Sequence, residues 1–318
     1  MYFPYLRGKQ FELIALREIN SFIKNKNLIS PIIEPVKAST GSLEKTLESL
    51  KGHDFNFNLV INPSVGDLTG KKGIKSIIDL IGPLLGDYKN YQPAIIISEK
   101  SKIDDFQDSI VSKKLVNLCL IFNGVPEEEE KLFKYMERGN VKYVVINEAI
   151  ASKRFLRNIR NLGIEKVTLS DPFKVLKRNA DYLLKDDEFF SDEHLYFTED
   201  RYVGFSDFLT VGQDYTESGF LPFAVVIHLT YFNKRDELWV HHFVSDTNED
   251  STDVAGKFEE ALNKLIKFKN EVGIKSVACK QFEELYRSGS YPGLGSIKKL
   301  SILHHIEFVF TFLNARQK

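Results

Sequence analysis

Tyr202–Asp246 reads YVGFSDFLTVGQDYTESGFLPFAVVIHLTYFNKRDELWVHHFVSD, and the architecture of the chain turns on how its apolar runs are assigned. Tyr202–Phe205 is a short strand-like run that stops at Ser206 and Asp207. Phe223–Phe232 and Leu238–Val244 are longer β-branched and aromatic runs flanking a polar turn, the pattern of a hairpin. If the turn is symmetric about Lys234 and Arg235, His228 lies opposite His241 and His242 faces the other side; an odd loop exchanges those roles.

Upstream of this stretch, apolar runs alternate with helical periodicity. Tyr2–Leu6, Ile29–Val36, Leu59–Ile61, Ala94–Ile97, Val116–Phe122, Tyr143–Ile146 and Lys166–Leu169 are continuous rather than alternating in hydrophobicity, as parallel strands covered on both faces are. Helices are predicted after most of them: Phe11–Ile23, Glu44–Leu50, Lys72–Leu85, a shorter one from Ile103, one introduced by Pro126, and Ala151–Leu162. Glu127–Glu130 fall in a first helical turn, where the helix dipole favours acids. With Tyr202–Phe205 as the eighth run, the pattern predicts an α/β chain of one domain, 1–318: an eight-stranded (β/α) TIM-like barrel with an inserted or appended β-hairpin (222–246) and C-terminal helices (253–315). Asp253–Val272 is the expected eighth barrel helix. Phe173–Arg201, with its acidic KDDEFFSDEH, reads as an irregular connection whose charges form a solvated face. The last helix, Ile297–Ala315, is apolar nearly all round and needs cover on two sides, from the barrel's helical layer and from the hairpin or a second copy of the chain.

Composition narrows the function. The 318 residues are 43% hydrophobic and 27% charged, which fits a folded globular chain rather than a disordered one. A formal net charge of −1, from 43 basic and 44 acidic residues, gives no global attraction to nucleic acid or anionic lipid, so any such attraction is local. Cys119 lies inside VNLCLIF and reads as a buried small hydrophobe. A cytoplasmic location and no membrane span are expected, since there is no signal-like start and no apolar run of the ~20 residues that cross a bilayer.

In a (β/α) barrel the residues just past each strand converge on one face. Here they are Arg7, Lys9, Glu34, Asn62, Ser98, Glu99, Asn123, Asn147, Glu148, Asp171, Ser206 and Asp207. Asn and Asp also end strands for ordinary turn reasons. Arg7 and Lys9 beside Gly8 suit a phosphate or carboxylate, or else Arg7 pairs with Glu34. Glu34, set in PIIEPV, is a candidate general acid or base. His228 and a facing histidine could share a metal or a phosphate, although two histidines without a third ligand usually form a polar pair. His304 and Glu307 share a helix face. No P-loop, dinucleotide fingerprint, GxSxG, HExxH or CxxC pair occurs, which leaves the cofactor unknown.

The segments YFPYLRGKQFELIAL, GFSDF, AVVIHLTYF, WVHHFVSD and YPGLGSIKKLSILHHIE resemble a family of uncharacterised bacterial proteins distantly similar to the phage beta-protein family. The resemblance implies a mobile-element or antiphage-defence setting and a protein partner, often a PD-(D/E)XK-type nuclease encoded nearby. The matching positions are Arg7, Lys9, Glu12, Glu34, Asp207, His228, His242, Asp246, His304 and His305. A weaker resemblance is to glycerophosphodiester phosphodiesterases, but Leu6 stands where their first strand carries histidine, and Glu34 lacks a second acid two residues on. The expectation is a barrel that binds a phosphate-containing or nucleotide-like ligand through Arg7, Lys9, Asn62, Asn123, Asn147, Asp171, Asp246, His304 and His305. The alternative is a metal-assisted phosphodiesterase or nuclease working through Glu34, Asp207, His228 and His242, and a third reading is a purely structural interaction protein.

Overall fold

Tyr2–Leu6 (β1) is buried at every position, as a strand covered on both faces must be. The computed structural model describes residues 1–102, 104, 115–217 and 222–317. The chain divides into two compact units: Met1–Lys9, Lys26–Ser170 and Tyr196–Asp207 form the first, and Gln10–Asn25, Asp171–Leu195 and Phe208–Lys318 the second.

The first unit is the expected barrel. Ile32–Ile33 (β2), Phe57–Val60 (β3), Tyr91–Ile97 (β4), Leu118–Phe122 (β5), Val141–Ile146 (β6) and Glu165–Ser170 (β7) follow β1 in parallel order. Asp187–Ser191 is a strand, β8, but takes no part in the barrel, which is closed by Gly204–Asp207 (β9) pairing with both β7 and β1. The closing strand begins two residues later than the apolar run suggested, so Ser206 and Asp207 lie within it rather than beyond its end. Helices Gly41–Gly52 (α2), Gly70–Leu85 (α3), Glu129–Met136 (α4) and Lys153–Asn161 (α5) occupy the connections. In α3 the buried Ile77, Ile81 and Leu85 recur every four residues, and Ser152 caps α5 by accepting from the Phe155 amide at 3.1 Å. The helix expected from Ile103 lies outside the described residues.

Which side chains fill the barrel follows from one contact. The rings of Phe3 on β1 and Tyr143 on β6 meet edge to face at 5.2 Å, and these strands are not neighbours, so both rings point inward. Alternation along the strands and the pairing register then place Tyr5, Arg7, Glu34, Asn58, Gln92, Cys119 and Ser206 on the same inward face. Tyr2, Phe205 and Asp207 have the outward parity, and Tyr2 stacks on Phe205 at 5.1 Å.

The second unit is built on an antiparallel sheet in the order Val226–Phe232 (β10), Leu238–Val244 (β11), β8. The acidic connection is therefore a strand, not a solvated face: Glu188 is buried, and Asp187 accepts from Tyr231 and bonds His241. Helix α1 (Gln10–Glu18) packs on Leu294–Arg316, the last helix. Val254–Val272 (α6), capped by Asp253 and ended at the left-handed Gly273, packs on β11, β10 and Val277–Ser288 (α7); its place is in this unit, not as an eighth barrel helix. The last helix, α8 (Leu294–Arg316), packs on α1, α7 and β10. One sheet face stacks Phe232 on Phe308 of α8 at 5.1 Å, and the other sets His241 on Phe268 of α6 at 4.3 Å. That double burial by the hairpin, α7 and α1 explains a helix apolar nearly all round. Among the described residues no helix is long and apolar enough to cross a membrane.

Barrel closure makes Gly204 irreplaceable. A Cβ there would sit 2.3 Å from the Met1 carbonyl oxygen and 2.6 Å from the Phe3 ring, neither of which can retreat within a filled interior. Gly204→Ala is expected to lower stability by about 1–3 kcal/mol, read as a lower urea midpoint with an unchanged m-value; a midpoint equal to the wild type would show that the closure is looser than the structure has it.

Candidate functional site

The carboxyl end of the barrel interior is organised by Glu34, which is fully buried. Its Oε2 accepts from the Tyr5 hydroxyl at 2.9 Å, and its Oε1 accepts from the Ser64 amide at 2.7 Å and the Ser64 hydroxyl at 2.8 Å. Nε of Arg7 lies 3.4 Å from Oε2, so the pairing of Arg7 with Glu34 that the sequence offered is formed. The Arg7 side chain is 10% exposed, and its guanidinium lies 5.9 Å above the Tyr5 ring. Burial, followed by the Glu34 charge, pushes the Tyr5 phenol well above its usual range, so it remains a donor to Glu34. Gly8 adopts φ +59°, and a Cβ there would sit 3.0 Å from the Glu34 carbonyl oxygen; this close turn carries the chain from Arg7 to the half-buried Lys9.

The other polar strand ends have local duties. Asn62 donates to the Ile96 carbonyl at 2.9 Å and accepts from its amide at 2.8 Å, extending the β3–β4 ladder. Asn147 caps a 3-10 turn by accepting from Ala149 at 2.9 Å, and Asn123 is an exposed residue whose backbone amide bonds Ile97. Asp207, on the outward parity, accepts from the Tyr2 hydroxyl at 2.8 Å and is not on the face that carries Arg7 and Glu34.

The remaining predicted site residues belong to the second unit. The turn Asn233–Glu237 is odd, with Asn233 Oδ1 accepting from Arg235 and Glu237, so His228 pairs with His242 rather than His241. Their Nδ1 atoms are 2.7 Å apart, Nε2 of His242 is 3.7 Å from Oε2 of Glu188, and Lys185 holds the other oxygen of Glu188 at 2.7 Å. Tyr182 lies 4.8 Å from the His228 ring and 4.5 Å from that of His242, with Phe173 at 4.9 Å and 6.2 Å. Burial, with help from His242 and Lys298, holds His228 well below its ordinary pKa. Burial likewise lowers His242 to about 4, against the upward pull of Glu188. His304 and His305 face the same sheet: Nε2 of His304 bonds the Thr230 carbonyl at 2.7 Å, and His305 bonds the Thr230 hydroxyl at 3.2 Å. Nδ1 of His304 is 2.9 Å from the Ser276 hydroxyl, which also caps α7 by accepting from Cys279, so this histidine joins a strand to two helices. Glu307 accepts from the Val277 amide at 2.7 Å. Asp246 forms an exposed pair with Lys264, and Asp171 accepts from the Gln213 amide at 3.1 Å.

Tyr5 and Ser64 were not among the predicted site residues, nor were Glu188, Tyr182 and Phe173. Tyr5 could have been found, since it lies two positions before Arg7, which continues the parity of β1 just past its end. Ser64 and Glu188 carry no such signal, because their distance in sequence from Glu34 and His242 is closed only by folding. Among the described residues no group of three or more His, Cys, Asp or Glu side chains is placed to hold a metal ion. Compared with protein-family models, curated proteins and solved structures, the chain finds no match.

His304 gives a pH signature. Burial lowers its pKa from 6.5 to about 4, so between these values the unfolded chain binds the extra proton. Its neutral form contributes roughly 3 kcal/mol of stability, fully present above about pH 6.5 and lost as pH falls toward 4. Chemical denaturation across this window should show stability falling with pH, with a slope reduced by about one proton in His304→Gln. An unchanged slope would mean that His304 titrates normally.

Proposed function

We propose that the protein binds a phosphate-containing or nucleotide-like ligand at the carboxyl ends of its barrel strands, with Arg7 and Lys9 contacting the anion. One observation carries this reading: a buried arginine stands at the functional end of the barrel, held by a carboxylate that Tyr5 and Ser64 anchor from two other positions. Arginine's planar fork matches phosphate oxygens, and a guanidinium steadied before the ligand arrives loses little side-chain freedom on binding. Lys9 adds a second cation two residues away, and Gly8 permits the intervening turn. The network also gives Glu34 a role as an anchor for Arg7, with its oxygens engaged by neutral donors. The resemblance to uncharacterised bacterial proteins distantly similar to the phage beta-protein family supports a mobile-element or antiphage-defence setting and action with a partner protein.

Calorimetric titration with inorganic phosphate, mononucleotides and dinucleotides tests the reading. At least one should bind, and Arg7→Ala should weaken it by roughly 10–100-fold, the worth of a charge-assisted hydrogen bond. Glu34→Gln should weaken it less, because the cation remains while its anchor loosens. Equal affinity for wild type and Arg7→Ala, or no binding by any member of the panel, would remove the proposal.

A further inference from the structure

The direction of the His228–His242 hydrogen bond can be read from its far end. Glu188 is ion-paired through Oε1 to Lys185 and turns Oε2 toward Nε2 of His242, 3.7 Å away in a buried setting. A lone pair on that nitrogen would face a negative oxygen, whereas a proton faces an acceptor, so His242 carries its proton on Nε2 and leaves Nδ1 bare. The Nδ1–Nδ1 contact of 2.7 Å needs one donor, which must then be His228. With its proton on Nδ1, His228 is left with a lone pair on Nε2. His228 is a half-buried residue whose ring packs against those of Phe173 and Tyr182, at 4.9 and 4.8 Å.

We propose that Nε2 of His228 is the proton-accepting atom of a site in the second unit, taking a small O–H donor such as water or an alcohol, with His242 and Glu188 as positioning residues. This is independent of the anion site on the barrel. In the step, the donor's O–H bond breaks and its proton passes to Nε2 of His228. The Nδ1 proton of His228 moves to Nδ1 of His242, and the Nε2 proton of His242 moves to Oε2 of Glu188 as the 3.7 Å gap closes. The donor is left as its oxyanion, and the relay passes from one negative charge to none. No imidazolium is left in the aromatic pocket, which is the outcome that burial favours. The titratable groups around the pair are Lys298 for His228, and His241 and Asp187 besides Glu188 for His242.

Two measurements on the full-length protein decide it. In two-bond nitrogen–proton NMR correlation at neutral pH, with His228→Gln used for assignment, His228 should appear as the Nδ1–H tautomer and His242 as the Nε2–H tautomer. A proton on Nε2 of His228, or a charged ring at either position, overturns the proposal. Diethylpyrocarbonate, which attacks bare imidazole nitrogens, should carbethoxylate His228 at pH 6 while the fully buried His304 stays unmodified. Glu188→Gln keeps the shape and removes the charge, and should slow that reaction about tenfold, the effect of one pKa unit. An unmodified His228, or an equal rate in a Glu188→Gln protein with wild-type thermal stability, also overturns it; if the variant does not fold, the wild-type tautomers alone decide.

Discussion

The pairing of Gly204–Asp207 with β7 on one side and β1 on the other is the constraint on which the first unit rests. Until that strand is in place, β1 and β7 are open edges with unpaired backbone groups, and the interior ring of side chains has a gap. Closure requires Gly204 to lack a side chain, because Phe3 occupies the space a Cβ would take. It also sets parity: with Phe3 inward, Arg7 four residues later is inward too, at the end where barrels bind ligands. The candidate anion site is thus a consequence of how the barrel closes, not a feature added to it.

Several buried polar groups in both units are held by partners that come from distant parts of the sequence. Glu34 collects Tyr5, Arg7 and Ser64; His304 collects Thr230 and Ser276; His242 collects His228 and Glu188. A buried polar atom without a partner costs more than a made hydrogen bond returns, so these networks tie strands and helices into one arrangement. The histidines show how one residue type divides by environment. His304 has both nitrogens engaged and acts as a joint, whereas His228 bonds His242 through Nδ1.

The hairpin shows how small local choices move chemistry. A turn of even length would have set His228 against His241, and the odd turn sets it against His242 instead. Because alternate residues on a strand face opposite ways, this shift sends His241 to Phe268 and Asp187 and brings His242 to His228 and Glu188.

Continuous apolar runs of three to eight residues, separated by helical periodicity, determined the parallel strands and the barrel, because burial on both faces leaves a mark at every position. The same logic made Arg7 and Glu34 visible as charged residues at strand ends. Sequence could not show that Asp187–Ser191 is a strand of a second sheet: an edge strand that opens on two adjacent charges, Asp187 and Glu188, looks like a polar loop until its partner is known. Nor could it show that Val254–Val272 covers the hairpin rather than a barrel strand, since an amphipathic helix records that one face is buried but not against what. The partners of Glu34 and His242, and the face on which Asp207 lies, depended on register, and register is decided only when strands pair.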